Sequence, residues 1–259
     1  MYQPSLFLSH GAPDIALKTG HPTYRFFQEL PRTFPRPDAI VIFSAHWCAD
    51  KTLIAKDASY HAIHDFGGFD ERLYSMRYSP KGNPELAQMV FDLVKQHDRK
   101  AKLVNNPELD HGIWIPLMIM YPDPVIPVIQ VAIQPDQSPE YHYGLGESLA
   151  ELRSHNVLII GSGSMTHNLF AMTIDDHEAI PPAWVTDFCQ WMNEHLVAAY
   201  TKAILQYRQR APHATRNHPT DEHLLPLFVA MGAGAEHPGT RIYSASSYGT
   251  IAMDAYRFN

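Results

Sequence analysis

The chain has 259 residues, of which 45% are hydrophobic and 18% charged, a composition typical of a globular enzyme with a sizeable core. A formal net charge of -7 argues against a nucleic-acid partner, since proteins that bind the phosphate backbone are usually basic. The sequence contains no apolar run long enough to cross a bilayer, and no basic segment leads into an apolar one at its start. We therefore expect a cytoplasmic protein without membrane association.

The first segments are predicted to be a strand, a turn and a helix. Residues 5–9 form the strand and lead directly into His10, and Gly11 lets the backbone bend tightly there. The helix covers residues 23–30, with Thr23 as its cap and apolar side chains at helical spacing. The first predicted strand is therefore followed directly by a histidine.

The next strand repeats this design. Residues 40–43 are all apolar and are β-branched or aromatic, which predicts a strand buried on both faces. The apolar run stops at Ser44 and Ala45 and then presents His46. If this strand is parallel to the first, His10 and His46 lie at one sheet edge, and open α/β sheets bind ligands at that edge.

Two polar turns follow. Residues 63–69 form an aromatic-rich loop with paired glycines, and such long loops are often binding loops or lids. A second turn carries Asp110 and His111 and leads into the apolar residues 115–120. Asp110 can orient the imidazole of His111 or cap a helix, and the sequence leaves both interpretations open.

The remaining segments alternate between strands and helices. Asn83 and Pro84 are a cap and a first helical residue, and Pro127 either weakens a central strand or marks the start of one. Gly232 is a helix stop. The predicted strands are 52–55, 125–133, 156–161 and terminal segments near 243 and 248–256, and the predicted helices are 83–96, 141–154, 182–209 and 220–232.

Sixteen histidines are present, against only two cysteines, which argues against a disulfide framework and a CxxC zinc site. Neutral imidazole is a good ligand for iron, zinc, copper and nickel. Packing explains poorly why three apolar strands each end near a histidine, so we predict a metal or acid/base centre. Five histidines have comparable settings: His10, His46, His111, His167 and His223.

Two other site types are disfavoured. The Gly161-Ser162-Gly163-Ser164 turn lacks the lysine of a phosphate-binding loop. The same turn also lacks the GxSxG spacing of a serine hydrolase.

Six blocks, in order along nearly the whole chain, resemble the LigB-type class III extradiol ring-cleavage dioxygenases, in particular the DOPA-4,5-dioxygenase-like subgroup. The blocks are SHGAP (9–13), SAHW (44–47), IHDFGGF (63–69), DHGIW (110–114), THNL (166–169) and PTDEH (219–223). The resemblance implies one α/β catalytic domain over residues 1–259, with a central mostly parallel or mixed β-sheet flanked by helices.

The resemblance also implies a non-haem Fe(II) centre, with Zn(II) as a possible occupant. His10, His46 and His223 match the metal ligands. More distant relatives have a glutamate at the third position and Glu222 adjoins it, but an imidazole fits this subgroup.

The substrates implied are a catechol and O2. His167 matches the acid/base histidine and can also be a metal ligand in a zinc form, and His111 matches a residue that binds or polarises substrate or oxygen. Phe66 and Phe69 either stack on the aromatic ring or hold a turn against the core. Two alternatives remain open: a zinc-dependent hydrolase on the same scaffold, and a non-catalytic protein that binds a metal or small ligand.

Overall fold

The computed structural model describes residues 2–173, 176–235 and 237–259. Its strands are β1 (Ser5–Ser9), β2 (Ala39–Cys48), β3 (Leu53–Ala55), β4 (His61–Ala62), β5 (Lys102–Val104), β6 (Glu108–Leu109), β7 (Val128–Ile133), β8 (Val157–Gly163), β9 (Gly239–Tyr243), β10 (Ser246–Ser247), β11 (Ile251–Ala252) and β12 (Ala255–Phe258).

Eight of these strands form one mixed sheet in the order β5-β3-β7-β2-β8-β1-β12-β9. The four central strands, β7, β2, β8 and β1, run parallel to one another. At the flanks, β3 is antiparallel to β7, and β12 is antiparallel to β1. The predicted α/β class with a mostly parallel or mixed sheet is confirmed, and the carboxyl ends of β1, β2 and β8 share one edge.

Helices cover both faces of the sheet. They are α1 (Pro22–Glu29), α2 (Glu71–Ser75), α3 (Pro84–His97), α4 (His111–Met120), α5 (Pro139–Leu149), α6 (Ala183–Val197), α7 (Thr201–Leu205), α8 (Tyr207–Arg210), α9 (Ala214–Asn217) and α10 (Leu225–Ala233). Because side chains alternate along a strand, Val41 and Phe43 of β2 pack with α3, α5, α6 and α10, while Ile40 and Ile42 pack with α1 and α4.

The short-range patterns located most elements correctly. Asn83 caps α3 as predicted, through its side-chain oxygen and the Leu86 N–H. β7 begins at Val128, directly after Pro127. The helix predicted to begin at Thr23 begins at Pro22 instead, because the His21 Nδ1 accepts the Thr23 N–H at 3.2 Å and so caps the helix.

Two helix predictions near the C-terminus are wrong in extent. The single helix predicted over 182–209 is divided into α6, α7 and α8, and the first break contains Ala199 in the left-handed region (φ 53°). The helix predicted from Thr220 begins at Leu225. Residues 221–225 form a turn in which the Asp221 carbonyl accepts the N–H groups of Leu224 and Leu225.

Other elements differ in length. The helix predicted over 141–154 covers Pro139–Leu149 and continues as a 3-10 helix over Ala150–His155. Of the predicted terminal segment 248–256, only short pieces are strand. In the described part of the chain, no helix is long and apolar enough to cross a membrane, and the cytoplasmic location stays a prediction.

Candidate metal centre

Five imidazoles meet at the carboxyl edge of the central strands. His10 directly follows β1, whereas His46 lies within β2, which continues past the predicted stop at Ser44 as far as Cys48. His167 follows β8, His111 is the first residue of α4, and His223 lies two residues before the start of α10. The structure therefore brings together every histidine that the sequence singled out.

Three of these rings have the spacing of a metal-binding set. One nitrogen from each of His10, His46 and His223 lies within 4.8 Å of the others, and the Nε2 atoms of His10 and His46 are 3.1 Å apart. Nitrogens that bind one cation at about 2.1 Å lie roughly 3 to 3.5 Å from each other. The Nε2 of His223 is buried and has no hydrogen-bond partner among the described residues. A cation between these rings would supply that missing partner.

Hydrogen bonds at the opposite nitrogens orient two of the rings. The Nδ1 of His10 lies 3.1 Å from the Ser162 hydroxyl, which itself donates to the Gly112 carbonyl, so the imidazole N–H can donate to the serine oxygen. The Nδ1 of His223 lies 3.0 Å from a Glu222 carboxylate oxygen. Such partners fix the tautomer and leave Nε2 free to bind a metal.

The surroundings keep these rings neutral. Burial and, after it, the nearby His111 ring together lower the pKa of His46 to about 3, although Asp65 opposes the shift. Burial, followed by the neighbouring imidazoles, also lowers the pKa values of His10 and His223 well below their usual range. A neutral imidazole has the lone pair that a metal requires, so all three are in the form that can bind one.

His167 lies beside this set. Its ring stacks on His223 with 3.4 Å between centroids and 11° between planes. Burial lowers the pKa of His167 to about 4. Its ligand atom also lies within 4.8 Å of those of Glu222 and His223, so it is close enough to take part in binding or in proton transfer.

His111 depends on Asp65, a residue that the sequence analysis did not single out. The Asp65 carboxylate accepts the His111 backbone N–H at 2.9 Å and lies 3.1 Å from its Nδ1 through both oxygens. The only signal in the sequence was the position of Asp65 in the loop predicted to bind ligand. That loop and His111 are therefore one unit in the structure.

Asp110 is the predicted helix cap by position, and its side chain bonds to Ser44 and not to the His111 imidazole. It occupies the capping position of α4 without a side-chain capping bond. Its buried carboxylate accepts the Ser44 hydroxyl at 2.7 Å, and the Ser44 oxygen accepts the His46 backbone N–H. Burial raises the pKa of Asp110 to about 6. Asp110 thus supports the end of β2 that carries His46.

Close packing at Gly112 completes this support. A Cβ there would lie 2.9 Å from the Ser44 hydroxyl oxygen and 3.0 Å from both the Asp110 carboxylate and the His10 Nδ1. A glycine is therefore needed for α4 to approach the two strand ends.

The five imidazoles line a cavity of about 610 Å³, within the size range of small-molecule sites. Phe66 and Phe69 line the same cavity and meet edge to face at 5.6 Å. The Phe66 ring also contacts His111 and the buried Trp114. The aromatic-rich loop over residues 63–69 thus both packs on the core and faces the cavity. This position is compatible with both predicted roles of Phe66 and Phe69, stacking on a ligand and holding a turn against the core.

Comparison with known families gives one match over nearly the whole chain. Residues 4–258 match the family described as the catalytic LigB subunit of aromatic ring-opening dioxygenase. Two relatives are both named 4,5-DOPA dioxygenase extradiol. The protein from Beta vulgaris is 36% identical, with 98% of this chain and 96% of the relative covered. The protein from Escherichia coli K12 is 34% identical, with 96% and 92% covered.

A solved structure has the same fold. The crystal structure of an uncharacterized protein from Escherichia coli K12 superposes with a TM-score of 0.82 at 28% sequence identity, covering 99% of this chain and all of the other. The sheet and the order of elements are therefore shared over the full length.

Proposed function

The chain belongs to the LigB family of aromatic ring-opening dioxygenases, and from this premise we propose that it opens the ring of 3,4-dihydroxyphenylalanine or a similar catechol at an Fe(II) ion held by His10, His46 and His223. It is a metal-dependent extradiol dioxygenase that uses a catechol and O2. The observation that best supports the ligand set is the convergence of three neutral imidazoles that line one cavity, one of them with a buried Nε2 that has no partner among the described residues.

The donor set fits iron and zinc equally well by ligand type. When bound, the ion supplies Lewis acidity toward the catechol oxygens and, if it is iron, a redox partner for dioxygen. We propose Fe(II) because zinc does not change its oxidation state. Membership of a dioxygenase family also disfavours the hydrolase and the non-catalytic alternatives.

The protein's own residues handle the proton and the ring. His167 is neutral and lines the cavity, so it can accept a proton from a catechol hydroxyl and return it to the product. Asp65 engages the Nδ1 of His111, which leaves Nε2 as the atom available to bind the substrate or oxygen. Phe66 and Phe69 can stack on the catechol ring and exclude water from the metal.

Oxygen consumption tests this proposal. Protein loaded with Fe(II) is mixed aerobically with L-DOPA and a panel of other catechols, while an oxygen electrode and absorbance spectra follow the reaction. We expect stoichiometric oxygen uptake and a yellow ring-opened product with iron, and neither with zinc. If none of the catechols in the panel causes oxygen uptake, the proposed substrate class is contradicted. Equal turnover with zinc would contradict the proposed metal.

A further inference from the structure

Tyr248 lines the same cavity as the five imidazoles and has an unusual backbone conformation. Its φ is 53°, in the left-handed region, and Gly249 follows at φ 74°. A bulky residue rarely adopts this conformation. Where it does, surrounding contacts must hold it there, and such positions cluster at active sites and ligand clamps.

The contacts that hold Tyr248 come from the segment before α6. The Tyr248 N–H donates to the His177 carbonyl at 3.0 Å, and the Tyr248 carbonyl accepts the Thr173 N–H at 3.0 Å. The rings of Tyr248 and His177 also meet edge to face, with their centroids 4.8 Å apart. The position of the ring in the cavity wall is therefore fixed from both sides of its backbone.

The hydroxyl of Tyr248 can act toward a ligand only as an acceptor. It donates its proton to an Asp14 carboxylate oxygen at 2.6 Å, a short bond to a charged group. Since that proton is already engaged, the lone pairs of the phenol oxygen are what remain for a ligand. A hydroxyl that donates to a carboxylate is also polarised into a better acceptor.

The charges around Tyr248 favour a ligand that is not purely anionic. Lys18 pairs with Asp14 at 2.8 Å, and these two charges cancel. Beyond them, the Glu178 carboxylate lies 3.3 Å from ring nitrogens of both His21 and His177. The group near the Tyr248 hydroxyl therefore contains two carboxylates, those of Asp14 and Glu178, and one ammonium, that of Lys18.

We propose that Tyr248 is a specificity-determining residue, whose hydroxyl oxygen accepts a hydrogen bond from an ammonium group on the side chain of the bound catechol. The inference rests on the proposed function, in which the two catechol oxygens occupy the histidine end of the cavity. The ring substituent then reaches another part of the wall, where Tyr248 provides an acceptor. Catechols with an ammonium-bearing side chain are selected over those whose side chain is neutral or ends in a carboxylate alone.

Anaerobic binding to the zinc-loaded protein tests this selectivity without requiring turnover. Calorimetry gives Kd for dopamine, L-DOPA, 4-methylcatechol and 3,4-dihydroxyphenylacetate. We expect dopamine and L-DOPA to bind roughly tenfold more tightly than 4-methylcatechol, the ratio expected for one hydrogen bond to a charged group. Tyr248→Phe removes that advantage and leaves Kd for 4-methylcatechol unchanged.

Two further variants sharpen the test. Tyr243→Phe removes a hydroxyl that bonds to Thr23 away from the cavity, and should bind all four ligands as the wild type does. Asp14→Asn replaces the charged acceptor of the Tyr248 proton by a weaker neutral one and leaves the Lys18 ammonium unpaired, so it should shift preference toward 3,4-dihydroxyphenylacetate. Equal weakening of all four ligands by Tyr248→Phe, or an unchanged ratio, would overturn the proposal.

Oxygen uptake measured in parallel separates this proposal from the proposed function. Selective binding without oxygen uptake contradicts only the dioxygenase proposal. Oxygen uptake without the selectivity contradicts only the role of Tyr248. If none of the catechols binds, both the dioxygenase proposal and the role of Tyr248 are contradicted.

Discussion

Asp65 holds His111 at two points. Its carboxylate accepts the backbone N–H of His111 at 2.9 Å and lies 3.1 Å from the Nδ1 of the same residue. Burial acts to raise the pKa of Asp65, but the hydrogen bonds and electrostatic interactions with His111 and His46 together lower it below its usual value. The ionised carboxylate therefore accepts the proton on the Nδ1 of His111, and Nε2 is the ring nitrogen that does not contact Asp65.

Replacing Asp65 with asparagine should reduce turnover while leaving the metal in place. The amide is similar in size but can present an N–H to Nδ1, which favours the opposite tautomer of His111. We expect kcat to fall roughly 10- to 100-fold, by analogy with the loss of the hydrogen-bond partner of a metal-bound histidine. Steady-state kinetics with metal analysis check this. Asp57→Asn is the control, since Asp57 accepts the Asn106 N–H outside the cavity, and metal loss in proportion to kcat would contradict the assignment.

Replacing His46 with alanine should abolish stoichiometric metal binding. The ring is one of three whose nitrogens converge, and the remaining two cannot complete the set. We expect metal affinity to fall by more than about 100-fold, beyond the effect of losing only a hydrogen-bond partner of a ligand. Elemental analysis after dialysis gives the metal content. The exposed His155 provides the control His155→Ala, and full occupancy in His46→Ala would show the ligand set to be wrong.

Replacing His167 with alanine should separate binding from chemistry. If His167 transfers protons, the variant keeps its metal and kcat falls by about 10²- to 10⁴-fold. The measurements are the metal-to-protein ratio and the oxygen uptake rate on the same sample. Because His167 stacks directly on His223, joint loss of metal and turnover would instead identify His167 as a ligand.

His142 should make the metal-free protein less stable in acid. This buried side chain donates from Nδ1 to the Ser138 carbonyl and accepts the Gln134 N–H at Nε2, which requires the neutral ring. Burial lowers the pKa of His142 from 6.5 to about 4, although the bond to Ser138 opposes this. Between these values the unfolded chain binds more protons than the folded one, so the free energy of unfolding rises with pH and is lost on acidification.

The difference between the two pKa values of His142 corresponds to about 3 kcal/mol. The free energy of unfolding should fall by this amount between pH 7 and pH 4 because of His142. Urea denaturation of EDTA-treated wild type and His142→Gln at several pH values measures it. The wild type should lose about 3 kcal/mol more than the variant over this range. Parallel pH profiles for the two proteins would show that His142 does not contribute.

Local patterns in the sequence were enough to locate most of the sheet and several helices. The apolar run of β2 and the Asn83-Pro84 start of α3 each carry their signal within a few residues. The break after α6 carries none, because Ala198 and Ala199 are good helix formers and only the folded chain puts Ala199 at positive φ. The extension of β2 to His46 likewise depends on the neighbouring strands and on the Ser44–Asp110 bond, not on propensity.

The order of residues predicted that the histidines after the buried strands would lie together, since the carboxyl ends of parallel strands share one sheet edge. It did not determine which groups orient those rings or form the cavity wall. Asp65 meets His111 across 46 positions of the chain, and Asp14 meets Tyr248 across 234. Residue type and spacing fix local backbone preference, but the separation of two distant side chains is set by how helices and strands pack. These distances between side chains therefore follow from the folded structure and not from local sequence.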